Sequence, residues 1–71
     1  KFKIINPIQR HESIKLPSFV NSVKVVNELG VNCKFELEET NNISLLEPSA
    51  GIYFLSFKMD ERTHFFKIII L

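Results

Sequence analysis

Seventy-one residues, 45% of them hydrophobic and seven of them Phe, suffice for one small core and exclude a second domain. One cysteine (Cys33) rules out an internal disulfide, and two isolated histidines (His11, His64) offer no metal-ligand spacing, so apolar burial has to hold the fold. Nine basic against eight acidic residues leave a net charge of +1, which gives no electrostatic footprint for nucleic acid or an anionic membrane surface.

In chain order, residues 2–5 (Phe-Lys-Ile-Ile) predict a short strand closed by Asn6-Pro7, since proline removes a ladder donor. Residues 13–16 alternate polar and apolar until Pro17 stops them. Residues 22–27 form a β-branched strand. A helix over 19–29 is the weaker reading, because Val20, Val23, Val25, Val26 and Asn27 are poor helix formers. Residues 28–31 read as a hairpin turn with Gly30 at positive φ. Over 32–38 the alternation is cleanest, with Cys33, Phe35 and Leu37 on one face and Lys34, Glu36 and Glu38 on the other. A polar loop (39–42), a short strand (43–45) and a second loop (47–51) follow. Two strong strands, 52–58 and 63–71, flank the polar turn 59–62. Seven strands with turn signals roughly every 8–12 residues predict an all-β antiparallel sandwich or barrel. No repeat or linker divides the chain. The longest apolar run, 65–71, is broken by Lys67 and falls far short of the roughly 20 residues that span a bilayer as a helix. Because the chain opens on Lys1 without a secretory leader pattern, it is expected to be one domain of a longer protein.

Catalytic patterns are missing. Gly30 and Gly51 are too far apart for a phosphate loop, no nucleophile elbow is present, and the pairs Glu38-Glu39 and Asp60-Glu61 fall in polar loop regions. The chain is therefore expected to be no enzyme and to hold no cofactor or metal. Cys33 reads as a small core hydrophobe. His64 reads as a half-buried strand residue. Tyr53 begins an inward set with Leu55 and Phe57; it is expected in the core with its hydroxyl on a backbone partner at a sheet corner, rather than exposed as a sugar platform. Lys67 either points outward and keeps an edge strand soluble or meets a partner. Residues 68–71 (Ile-Ile-Ile-Leu) are apolar on both faces of a strand, which requires either full coverage within the domain or a face kept for another molecule.

The order of these signals resembles the type A C-terminal sorting domain of the Bacteroidetes type IX secretion system. Ile5-Asn6-Pro7 matches the opening strand and turn. Val23, Val25, Asn27 and Gly30 fit V-x-V-x-(D/N)-x-x-G. Ser49-Ala50-Gly51-Ile52-Tyr53 fits (P/S)-x-G-x-Y, and Lys67-Ile68-Ile69-Ile70 fits the closing lysine and aliphatic run. The resemblance covers nearly the whole chain. It implies an immunoglobulin-like β-sandwich of about seven strands that serves as an address at the C-terminus of a secreted cargo protein. It further implies recognition by the outer-membrane translocon and removal by a cell-surface sortase at a point near or before Lys1. The expected destination is the cell surface or the medium, by way of the periplasm.

The residues expected to carry recognition are Gly51, Tyr53, Lys67, Ile68, Ile69, Ile70 and Leu71. The last five supply the terminal strand, and Gly51 and Tyr53 fix its neighbour. Self-association through that strand is expected to be possible in isolation. The rival reading is an accessory sandwich module of a secreted hydrolase that binds carbohydrate or protein; the absence of Trp and the single Tyr weigh against it.

Overall fold

The computed structural model describes residues 2–39 and 41–71. Lys1, beside which a processing point is expected, and Thr40, within the predicted loop 39–42, lie outside the described residues. The described residues form six strands: β1 (Ile14–Lys15), β2 (Asn21–Asn27), β3 (Phe35–Leu37), β4 (Asn42–Leu45), β5 (Gly51–Met59) and β6 (Arg62–Ile70). They form two antiparallel three-stranded sheets, ordered β1-β4-β3 and β2-β5-β6. These orders are those of the two sheets of an immunoglobulin sandwich without its first strand.

The strand count is thus six rather than seven, and the missing strand is the predicted 2–5. That segment joins no ladder. The Phe2 ring instead packs edge-on against Phe57 and Phe66, with centroids 5.7 and 5.0 Å apart. Side-chain packing holds the segment where main-chain pairing was expected. The backbone attachment falls two residues past Asn6, where Ile8 forms a parallel bridge with Ile70. The Asn6–Pro7 peptide bond is cis.

The β2–β3 connection is built by Asn27. Its side-chain oxygen accepts hydrogen bonds from the amides of Leu29 (2.9 Å) and Val31 (3.0 Å), and its carbonyl accepts one from Gly30. Gly30 has φ of 82°, the left-handed turn position its sequence context called for. The regular alternation of 32–38 does not make one buried face. Asn32 bridges to Val26 and the Cys33 amide donates to the Val25 carbonyl, whereas Phe35 to Leu37 pair with β4. The segment therefore crosses from one sheet to the other. Cys33 and Phe35 are half-buried against the core, while Leu37, at the edge of the smaller sheet, is 57% exposed.

The core lies between the sheets. Val25, Tyr53, Leu55, Phe57, Ile68 and Ile70 from the larger sheet meet Ile14, Leu16 and Ile43 from the other side, with Ile8 beside them. Alternate residues of β5 and of the second half of β6 contribute, as a period of two requires. His64, half-buried, faces the Phe57 ring at 5.9 Å.

The β5–β6 hairpin turns through Asp60 and Glu61, with Met59 opposite Arg62. Both central residues have positive φ, 54° and 61°, the backbone of a type I′ turn. Asp tolerates that region, but Glu lacks the short side chain that eases it. Glu61→Gly is expected to stabilise the fold by about 1 kcal/mol, read as a higher urea midpoint at unchanged slope. Leu55 is fully buried. Leu55→Ala is expected to cost about 2–5 kcal/mol. A 71-residue chain holds only about 4–10 kcal/mol, so the variant should lie near its unfolding midpoint in water, read by circular dichroism.

Candidate recognition site on the terminal strand

β6 lies at the edge of the larger sheet, and its register against β5 runs unbroken from Met59↔Arg62 to Gly51↔Ile70. Unbroken register means strict alternation of faces. Ile68 (0% exposed) and Ile70 point into the core. Lys67 and Leu71 are exposed, and Ile69 is half-buried on the outer face. The two-sided apolar end is resolved in this way: one face is consumed by the domain's own core and the other looks outward.

The seven residues expected to carry recognition therefore divide. Lys67, Ile69 and Leu71 share the outer side of β6. Ile68, Ile70 and Tyr53 lie inside, where no partner can touch them without opening the sandwich. Tyr53 is the corner residue between β4 and β5: its hydroxyl donates to the Ser49 carbonyl at 2.7 Å and accepts from the Ser49 amide at 3.0 Å. This is the tyrosine corner of sandwich folds, so Tyr53 positions the start of β5 and offers no platform for sugar. Gly51 has φ of 150°, and a Cβ built on it would find only the Glu28 carboxylate oxygen, 4.0 Å away. Backbone conformation rather than crowding calls for glycine there.

Neighbours on the outer face were not among the expected site residues. Cross-strand partners set Ile52 beside Ile69, Val26 and Phe54 in a row with Lys67, and Lys24 and Ser56 in a row with Phe65. Phe65 is 74% exposed and Phe54 is exposed beside it. The signal for this patch was present in β5, where Ile52-Tyr53-Phe54-Leu55 is apolar at both parities. Lys24, Lys58 and Lys67 carry the charge of this face, and no Asp or Glu stands at an outward position of β2, β5 or β6.

The outer edge of β6 is partly occupied. The Asn6 side-chain amide donates to the Lys67 carbonyl and its oxygen accepts from the Ile69 amide, both at 2.9 Å. The Ile8 amide donates to the Ile69 carbonyl (2.8 Å), and the Leu71 amide donates to the Ile8 carbonyl (3.0 Å). Arg10 Nε reaches the Leu71 carbonyl at 3.4 Å. Asn6 thus supplies the donor and acceptor of a strand residue from its side chain. Among the described residues no group of three or more potential metal ligands gathers, and no helix is long and apolar enough to cross a membrane.

No curated protein and no solved structure matches the chain. Residues 6–71 match the family model described as the secretion system C-terminal sorting domain. The match takes in the Asn6 latch, both sheets and the whole of β6. The chain belongs to that family of sorting domains, the signals that send their cargo through the type IX system of Bacteroidetes across the outer membrane, to be released or held at the cell surface.

Proposed function

We propose that the type IX translocon reads this domain through the outward side of β6, with Lys67, Ile69 and Leu71 as contact residues. Ile68 and Ile70 anchor the strand from within, and Gly51 and Tyr53 hold its β5 neighbour in register. The domain carries no catalytic step of its own. It ends a longer secreted protein, whose cargo portion precedes residue 1, and a cell-surface sortase then removes it. The observation supporting this reading is the division of β6: its inner residues are sealed in the core while an exposed lysine and apolar residues line its other side. A sheet-edge strand of this kind can offer both main-chain and side-chain contacts to a partner.

The test is export of a reporter fused ahead of Lys1 in a host with a working type IX system. Lys67→Glu combined with Leu71→Ser changes exposed side chains and leaves the main-chain bond of Leu71 intact. Export is expected to fall about tenfold or more, corresponding to about 1.4 kcal/mol of lost recognition, while the thermal midpoint of the isolated chain stays unchanged. Undiminished export would reject the reading.

Tyr53→Phe provides the converse. It strands the Ser49 carbonyl and amide and is expected to lower stability by about 1 kcal/mol, measured by urea unfolding. Export at permissive temperature should persist, because the hydroxyl acts on the corner and not on the translocon.

A further inference from the structure

The outer edge of β6 is latched only at its C-terminal end. Within a strand, the amide and carbonyl of alternate residues point to the same side. Ile69 and Leu71 direct theirs to Asn6 and Ile8, so the unbroken register turns those of Thr63 and Phe65 to the same open side. The backbone groups of Thr63 and Phe65 meet no outward hydrogen-bond partner among the described residues. Unpaired edges are commonly blunted by proline, a bulge, inward charge or an outward lysine, and here Lys67, at the far end of the open stretch, is the one lysine. Between Arg62 and Lys67 there is no proline and no register shift, and the middle residue is the exposed Phe65.

We infer that the open half-edge from Thr63 to the Lys67 amide is a strand-addition site for an extended partner segment whose residues alternate acidic and apolar. Unpaired amides and carbonyls in the plane of the sheet call for another backbone. On the outer side such a strand would lie beside the exposed Phe65 and Lys67, with Lys58 one strand further in and no Asp or Glu in the three strands; the lysines select acidic residues, whose aliphatic stems the Phe65 ring can cover. On the inner side it would lie beside the half-buried Phe66, packed against Phe2, which selects apolar ones. A second copy of the chain fits less well, because joining two such edges would put two lysine-bearing faces on one sheet. An anionic bilayer would satisfy the lysines but not the in-plane backbone groups. The inference rests on the reading that β6 is the strand recognised, and it names the chemistry of what pairs there.

The test is amide hydrogen exchange of the 71-residue chain by NMR, with a capped seven-residue peptide alternating glutamate and valine. The Phe65 amide is expected to exchange about tenfold more slowly with the peptide present, as a newly paired edge donor should. The matching lysine–valine peptide should bind at least about tenfold more weakly. A glutamate–valine peptide methylated at alternate amides should give no protection. An unchanged Phe65 rate, or equal protection by the lysine peptide, overturns the inference. So does protection that rises with chain concentration alone (a second copy) or that phosphatidylglycerol vesicles reproduce (a membrane). If peptide binding fails while the Lys67 and Leu71 changes still abolish export, strand addition alone is rejected. If export survives those changes, the broader reading fails.

Discussion

The pairing of β5 with β6 is the constraint on which the rest of the molecule depends. Nine consecutive residue pairs without a bulge leave no freedom in which side chain faces inward. Tyr53, Leu55 and Phe57 must enter the core together, and Ile68 and Ile70 must meet them from β6. A slip of β6 by one residue would bring Lys67 and Ile69 inside and would bury a charge at a cost of several kcal/mol. Lys67, although exposed, therefore has a structural effect: it makes one register far better than its neighbour. The strained Asp60-Glu61 turn can be tolerated because the ladder on either side over-determines it.

Much of this is legible in the sequence alone, because it rests on period-two patterning and punctuation. The strands around Val25, Leu55 and Ile68, the left-handed Gly30 and the Tyr53 corner all follow from local chemistry. What failed to show had two causes, the sharing of one segment between two sheets and the docking of another by a side chain. Residues 32–38 alternate well enough for one strand, yet their first residues pair with β2 and their last with β4. Alternation reports that a chain is extended; it does not report which sheet it joins. Residues 2–5 read as a strand too, but Phe2 packs edge-on against the stacked Phe57 and Phe66 rings, and a side chain that large can fix a segment without a ladder.

The candidate site was half legible for a related reason. A run such as Ile68-Ile69-Ile70-Leu71 announces two apolar faces but not which parity turns inward; the β5 partner decides that. Phe54 and Phe65 escaped notice because an apolar residue in a strand is ordinarily assigned to the core. Asn6 escaped because an asparagine before a proline reads as a turn former. Its side chain here imitates a peptide group, and that role depends on the distant Lys67 and Ile69.

The Asn6 latch joins residues 61 and 63 positions apart, so the first described turn and the last strand close on each other. A nascent or threaded chain cannot seal this seam until its final residues are in hand. Without residues 69–71 Asn6 would lose one of its two partners and Ile8 its bridge. A pull on either border of this span is therefore carried to the other through the seam.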